Sequence, residues 1–241
     1  MYSASWPDRR NSPPPDIRPL VIVGTGVRAV IACECFRHDS PYEVAAVSAE
    51  APRVAGDAGD AGDAGCGLPV VPFDDLAAAY PPGQHVAFVA VHPDRGNGFR
   101  SRLYEKVTSA GYSCVSYVSS RAFAARSATL GRNTFVHEGA ALQHGSSIGD
   151  NVVIESGTCV GHSTVIEDDC FVGPHVAIPG FCRIGRGSFL GANSCLADGI
   201  QVAEGCVISP GAVILKDTEP GELYVGNPAR RAAPDTLRGR A

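Results

Sequence analysis

The sequence lacks several features that would point to a membrane or nucleic-acid role. Its 241 residues contain no apolar run near the roughly 18 residues that a transmembrane helix needs. They also lack an excess of positive charge, since the net charge is −5 and the pI is about 5.8. Such a charge argues against nucleic acid or an anionic membrane surface as the main partner. Residues 1–18 are polar and proline-rich, unlike a signal or transit peptide, and we expect a disordered tail on a cytoplasmic protein.

The nine cysteines include no C-x-x-C pair, and their number is odd. Neither a disulfide framework nor a structural zinc site is therefore expected. Free thiols that act as compact apolar side chains are typical of cytoplasmic proteins. We expect no bound metal.

A six-residue repeat of aliphatic residues dominates the second half of the chain. Neither a helical period nor a two-residue strand period produces this spacing, whereas a parallel β-helix does. The repeat consists of Leu130, Val136, Leu142, Ile148, Ile154, Val160, Ile166, Val172, Ile178, Ile184, Leu190, Leu196, Val202, Ile208 and Ile214. Most of the residues four places after these are small or β-branched, and they include Cys170, Cys182 and Cys206.

In such a β-helix each hexad forms one side of a triangular coil and points its aliphatic residue inward. Three hexads close a coil, so residues 18 apart stack at about the strand–strand spacing of 4.8 Å. The repeat runs from Leu130 to Thr218, which is about five coils. We expect residues 219–231 to leave the prism.

The first half of the chain alternates strands with helices. Strands are predicted at 19–24, 43–48, 84–91 and 112–118, and helices at about 27–37 and 97–110. This alternation favours a small parallel α/β domain. Three Ala-Gly-Asp units within residues 55–65 predict a loop.

The predicted fold class is therefore α/β plus β-solenoid. A Rossmann-like domain at 19–125 precedes a β-helix at 126–231, with tails at 1–18 and 232–241.

The first predicted strand is followed by Gly24-x-Gly26-x-x-Ala29, and a helix comes next. This placement fits the Rossmann fingerprint, in which glycines let the backbone approach a phosphate at a helix N-terminus. We predict a substrate site containing Gly24, Thr25, Gly26, Arg28 and Glu50.

Two histidines of the repeat, His144 and His162, share one phase and are 18 residues apart. The residue stacked on His162 in the next coil is Gly180, which leaves bare backbone beside the imidazole. An exposed N–H at that place is suited to hold a developing oxyanion.

Five segments resemble the bacterial sugar acyltransferases related to the sialic acid O-acetyltransferases and the bacillosamine N-acetyltransferase. They are residues 160–176, 189–195, 224–231, 67–73 and 102–112. The resemblance therefore extends over about residues 18–231 and covers both predicted domains. It implies a left-handed β-helix and a part in polysaccharide biosynthesis.

The resemblance also implies the roles of individual residues. The family's catalytic base falls on His162, which takes a proton from the acceptor amine or hydroxyl as this attacks the thioester of acetyl-CoA or another acyl-CoA. The backbone N–H of Gly180 becomes the oxyanion donor. The residue after the base is often acidic or a second histidine in relatives, and here it is Ser163. His144 is a candidate substitute partner for the base.

The resemblance places coenzyme A along the prism between the subunits of a homotrimer. The implied contacts are Gly180, Gly191, Gly226, Pro228, Ala229 and Arg230, with Arg231 as an alternative phosphate contact. The glycine loop of the first domain holds a nucleotide-linked sugar in the family. Relatives have a further glycine-rich stretch where this chain has Val27, Arg28 and Ala29, and acidic residues where it has only Glu50.

Other function classes remain open from the sequence alone. A γ-carbonic-anhydrase-like metal enzyme would need three imidazoles around zinc, drawn from His137, His144, His162 and His175, although their gaps of 7, 18 and 13 residues depart from that pattern. A non-catalytic protein that binds nucleotide or coenzyme A would keep the prism without turnover. An NAD-dependent oxidoreductase fits less well, because the first domain is small and no catalytic partner is evident.

Overall fold

The structure is a computed structural model that describes residues 17–50, 66–92 and 98–233. They fall into two compact units. The α/β unit comprises the described residues from Ile17 to His92 and from Phe99 to Tyr117, and the prism unit begins at Val118. Most of the predicted N-terminal tail, the Ala-Gly-Asp loop and the end from residue 234 lie outside the described residues. No helix within these described stretches is long and apolar enough to cross a bilayer.

The α/β unit is a five-stranded parallel sheet with the strand order β3-β2-β1-β4-β5. Both β1 and β4 are buried along their whole length, which explains their continuous apolar sequences. The elements of this unit are β1 (Leu20–Val23), α1 (Val27–Asp39), β2 (Val44–Ala49), β3 (Val70–Pro72), α2 (Phe73–Ala79), β4 (Val86–Val89), α3 (Gly98–Ser109) and β5 (Ser113–Cys114).

The predicted strands and helices of this unit are confirmed to within a few residues, with two differences. The strand expected at 112–118 is two strands, Ser113–Cys114 in the α/β sheet and Tyr117–Val118, which joins a prism sheet. The sequence prediction also missed β3 and α2. These have three and seven residues, which is too short for hydrophobic periodicity to reveal them.

The prism is a left-handed parallel β-helix whose strands are mostly two residues long. Its strands are β6 (Tyr117–Val118), β7 (Phe123–Ala124), β8 (Thr129–Leu130), β9 (Phe135–Val136), β10 (Ala141–Leu142), β11 (Ser147–Ile148), β12 (Val153–Ile154), β13 (Cys159–Val160), β14 (Val165–Ile166), β15 (Phe171–Val172), β16 (Ala177–Ile178), β17 (Arg183–Ile184), β18 (Phe189–Leu190), β19 (Cys195–Leu196), β20 (Gln201–Val202), β21 (Val207–Ile208), β22 (Val213–Ile214), β23 (Leu223–Val225) and β24 (Arg230–Ala232).

Three sheets form the sides of the prism, and the 18-residue register is confirmed. Val160 pairs with Ile178, and the register continues upstream as far as Ala124 opposite Leu142. The β7 sheet contains β7, β10, β13, β16, β19 and β22. The β8 sheet contains β8, β11, β14, β17 and β20, and the β6 sheet contains the remaining prism strands.

The core of the prism is the inward aliphatic repeat together with the small residues that were predicted to accompany it. Cys170, Cys182 and Cys206 are buried within it, at most 1% exposed. Burial raises the pKa of the Cys182 thiol, so this side chain stays neutral in the core. All nine cysteines are free thiols.

The prediction that residues 219–231 leave the prism is wrong for β23. Leu223 and Tyr224 pair in parallel with Val207 and Ile208, so the β6 sheet gains one more strand. Paired residues are 16 positions apart here instead of 18, so the six-residue repeat does not extend to this strand in the sequence. The chain then reverses, and β24 pairs antiparallel with β23.

A ladder of buried polar side chains runs along the corner between the β8 and β6 sheets. The amide of Asn133 donates to Oδ1 of Asn151 at 2.8 Å, and Asn151 donates to Oδ1 of Asp169 at 2.8 Å. Nε of Arg186 closes the ladder by donating to Oδ2 of Asp169 at 2.9 Å. All three Asn and Asp residues have a positive φ, which these residue types tolerate better than most.

Candidate functional site

His162 lies at the corner of the prism between β13 and β14, where its side chain is exposed. The sharp turn into this corner uses Gly161, because a Cβ at that position would overlap the backbone of Pro179 in the next coil. The glycine therefore allows the coils to approach each other beside the imidazole.

Gly180 lies directly over the imidazole of His162. A Cβ on Gly180 would be 2.5 Å from Cε1 and 2.6 Å from Nε2 of His162, so only glycine fits beside the ring in this arrangement. Within the described residues the amide N–H of Gly180 donates no hydrogen bond. The middle residues of neighbouring corners, His144 and Asp198, share this feature. Gly180 itself is buried, so the exposed N–H expected from the sequence is not seen, because the imidazole of His162 lies against it. What distinguishes Gly180 is an N–H next to an exposed histidine with no side chain between them.

Ser163 and His144 belong to the same corner, but neither side chain bonds the imidazole of His162. The amide of Ser163 donates to the carbonyl of His144 at 2.9 Å, and its hydroxyl faces Gly145. Nδ1 of His144 lies 2.8 Å from the hydroxyl of Ser127. No hydrogen bond to the imidazole of His162 occurs in the part of the chain that the structure describes, so neither residue orients that ring through one.

Phe181 is the side chain that does contact His162, and the sequence reasoning overlooked it. The two rings are nearly perpendicular, at 85°, with their centroids 4.8 Å apart. One signal was available in the sequence. At the same place in other coils stand Gly145, Ser163 and Gly199, so a phenylalanine at this phase is unusual.

The proposed coenzyme A contacts lie in three places. Gly191 is buried, and a Cβ there would come 2.5 Å from the backbone nitrogen of Pro210, so its smallness has a packing reason. Gly226, with φ 92°, and Ala229 hold the C-terminal segment to Val213 through backbone hydrogen bonds. Pro228 is exposed.

The two arginines of this segment differ. Nε of Arg231 lies 3.2 Å from a carboxylate oxygen of Glu222. Arg230 is exposed and forms no ion pair with a described carboxylate. Arg230 is therefore the better candidate for a phosphate contact.

The glycine loop of the α/β unit lies between β1 and α1. The amide of Gly24 donates to the carbonyl of Ser48 at 2.8 Å, while Gly26 caps α1 with φ 78°. Ala29 is fully buried, as expected for a residue where helix and sheet approach closely. Thr25 is exposed and Arg28 half-buried near the first turn of α1. The loop thus presents backbone and a helix N-terminus.

Alanine at Gly24 and alanine at Gly26 are expected to lower the stability of the protein by different amounts. Gly24 has φ 141°, and a Cβ there would overlap the carbonyl of Ala90, whereas a Cβ on Gly26 meets nothing within 4 Å. We expect Gly24→Ala to lower the free energy of unfolding by about 2 kcal/mol or more. Gly26→Ala, which suffers only backbone strain, is expected to cost about 1 kcal/mol. Urea unfolding of both variants measures this, and equal losses would contradict the proposed clash.

Glu50 lies just after β2, where its carboxylate is already paired with cations of α3. Oε1 is 2.8 Å from Nζ of Lys106, and Oε2 is 3.5 Å from a guanidinium nitrogen of Arg102. These partners are more than 50 residues away in the sequence, so no local pattern predicted them. Substrate binding by Glu50 stays a prediction.

The histidines considered for a metal enzyme lie at different edges of the prism. His144 and His162 are at the corner between the β7 and β8 sheets, whereas His137 and His175 are at the corner between the β6 and β7 sheets. The ring of His137 is buried near Glu138 and Glu155, each 3.6 Å away, and His175 packs on Gly157. Among the residues placed by the structure, no group of three or more His, Cys, Asp or Glu side chains is arranged to hold a metal ion.

Comparisons with known proteins agree with this architecture. Residues 127–162, 163–198 and 182–216 match the bacterial transferase hexapeptide family of six repeats. A search of curated proteins gives no match.

Several solved structures are similar over both units. A histidine variant of perosamine N-acetyltransferase from Caulobacter crescentus, in complex with CoA and GDP-perosamine, has 28% identity and a TM-score of 0.79, covering 90% of this chain and 98% of its own. The acetyltransferase domain of PglB from Neisseria gonorrhoeae FA1090, in complex with acetyl coenzyme A, has 25% identity and a TM-score of 0.76, covering 89% and 99%. WeeI from Acinetobacter baumannii AYE, at 15% identity and a TM-score of 0.62, covers 89% and 99% and shares the fold.

Proposed function

We propose that this chain, a hexapeptide-repeat acyltransferase, transfers an acetyl group from acetyl-CoA to the amine of a nucleotide-linked amino sugar. The observation that carries the proposal is the exposed imidazole of His162 stacked beside Gly180, whose N–H donates no hydrogen bond to another described residue. The similar perosamine N-acetyltransferase, solved with CoA and GDP-perosamine, supports both the donor and the class of acceptor.

In the proposed reaction the acceptor nitrogen attacks the carbonyl carbon of the thioester. His162 takes the proton that the nitrogen loses as the new C–N bond forms, a role that typically contributes about 10²–10⁴-fold to the rate. The negative charge that develops on the carbonyl oxygen is held by the N–H of Gly180. The C–S bond then breaks, and the departing thiolate of coenzyme A receives the proton from His162.

The acceptor is proposed to bind through its nucleotide at the glycine loop of the α/β unit. Gly26 leaves the backbone accessible, Thr25 offers an exposed hydroxyl, and Arg28 adds a positive charge, while the buried Gly24 packs the loop closely against the sheet. The N-terminus of α1 has no acidic residue in its first turn and no side-chain cap, so its N–H groups favour an anion.

Coenzyme A is proposed to bind along the prism from Gly180 past Gly191 to the segment containing Gly226, Pro228 and Ala229, with Arg230 at a phosphate. Its use as donor, together with nine free cysteines, supports a cytoplasmic site of action. We also propose a homotrimer. The outward side of the β7 sheet is lined by small or apolar residues that would let a second copy approach closely, namely Ala141, Cys159, Ala177, Cys195 and Val213.

A direct assay tests this function. The purified protein is incubated with acetyl-CoA and a panel of nucleotide-linked amino sugars, and thiol release is followed alongside the mass of the product. One amino sugar in the panel is expected to gain the mass of a single acetyl group, and the amount of product is expected to equal the amount of thiol released. The matching hydroxyl sugars serve as controls for N- against O-transfer. Coenzyme A binding without transfer to any acceptor in the panel would favour a non-catalytic binding protein.

A further inference from the structure

We propose that Phe181 is a positioning residue, whose ring holds the imidazole of His162 in the orientation needed to accept the proton. This proposal rests on the proposed function and names a residue on which that function depends. The sequence analysis considered Ser163 and His144 as partners of the His162 imidazole, and the proposal gives the orienting role to a hydrophobic side chain instead.

The geometry places Phe181 as the one ring packed against His162 among the described residues. The ring centroids are 4.8 Å apart at an angle of 85°, an edge-to-face arrangement that is attractive between aromatic rings. Gly180 lies against the same imidazole and restricts it from the next coil. His162 is therefore held by a ring and by bare backbone, while its nitrogens form no hydrogen bond to a described residue and stay available to a substrate.

Phe181 occupies this position at a conformational cost. Its φ is 57°, in the left-handed region that bulky side chains rarely adopt, and its side chain is 67% exposed. At the same phase of other coils Gly145 and Gly199 have φ 69° without strain. An exposed phenylalanine contributes little to the core, so burial does not explain its presence. Strained residues of this kind concentrate at functional sites.

Neither alternative orienting group forms a hydrogen bond with the imidazole of His162 within the described residues, which leaves the role to Phe181. The hydroxyl of Ser127 lies within hydrogen-bond distance of His144, and the hydroxyl of Ser163 lies over Gly145. Without the ring of Phe181, the His162 side chain gains rotational freedom. Misplacement of a reacting group by about 1 Å is enough to lower a rate by about 100-fold.

The test is Phe181→Gly, assayed for acetyl transfer and for thermal unfolding. We expect kcat to fall by about 10- to 100-fold while the KM for acetyl-CoA changes little, because the loss affects orientation and not binding. The Tm is expected to rise by about 2–4 °C, because glycine relieves the left-handed strain. Phe181→Tyr, which keeps the ring, is expected to retain the kcat of the parent protein. A merely structural phenylalanine would not give lower activity in a more stable protein.

His175→Gly is the matched control. His175 also carries an exposed ring at a φ of 56°, but at another corner of the prism. Its replacement is expected to raise the Tm similarly and to leave kcat unchanged.

A double-variant cycle separates this inference from the proposed function. In a His162→Ala background, Phe181→Gly is expected to have no further effect on kcat. A His162→Ala protein with normal activity would overturn the proposed base, and the positioning role with it. An inactive His162→Ala protein combined with a normal Phe181→Gly protein would overturn the positioning role alone.

Discussion

Replacing His162 by alanine is expected to lower kcat/KM for acetyl transfer by about 10²–10⁴-fold, the usual contribution of a general base. The fold should be unaffected, because the side chain is exposed and its only ring contact among the described residues is Phe181. The measurement is steady-state kinetics with thiol release, accompanied by the Tm of each variant. Because alanine leaves an open space beside Gly180, added imidazole is expected to restore part of the activity.

His175→Ala controls for the loss of an exposed histidine from the same prism. It removes an imidazole from the corner between the β6 and β7 sheets and is expected to leave kcat/KM within about twofold of the parent, as surface changes away from a site usually do. Equal activity losses in the two histidine variants would show that the effect does not come from the His162 corner.

Replacing Asn151 by alanine is expected to produce the largest loss of stability, about 3 kcal/mol or more. Asn151 is fully buried, and its amide forms one hydrogen bond with Asn133 and another with Asp169. Without it, a buried N–H donor of Asn133 loses its acceptor, and the carboxylate of Asp169 loses a donor. Each hydrogen bond lost by a buried polar group costs about 1–3 kcal/mol. Arg186 still pairs with Asp169 and limits the loss.

Asn193→Ala is the matched control for this substitution. Asn193 has a φ of 57° against 56° for Asn151, but it is exposed. Both variants therefore bear the same backbone strain from alanine, and the difference between their free energies of unfolding isolates the ladder. Chemical denaturation measures it. A difference below about 1 kcal/mol would mean that the buried amides contribute no more than ordinary exposed ones.

The prism was predictable because its regular coils require a regular spacing of aliphatic residues in the sequence. Each inward aliphatic residue recurs after six positions, and the stacking of Val160 on Ile178 follows by counting 18 residues. The repeat failed at β23, where the register shortens to 16 and no aliphatic residue marks the phase. In the α/β unit, β3 and α2 were missed because Val70–Pro72 and Phe73–Ala79 are too short to show periodicity.

The candidate site was predictable only where it depends on that period. The closeness of His162 and Gly180 follows from the register, and the structure places them together. The contact of Phe181 with His162 depends on a left-handed backbone angle and a side-chain rotamer, neither of which a repeat specifies. The pairing of Glu50 with Lys106 depends on how α3 packs on the sheet, which no local sequence pattern records.

The reversal of the chain at β24 has a consequence for self-association. The open end of a parallel solenoid exposes backbone donors and acceptors that can template another coil, which is how filaments grow from such edges. At the end of the β6 sheet this template is covered, because β24 runs in the opposite direction and carries the charges of Arg230 and Arg231. An incoming coil cannot continue a parallel ladder against an antiparallel, positively charged strand. The terminal hairpin therefore protects this side of the molecule from end-to-end polymerisation.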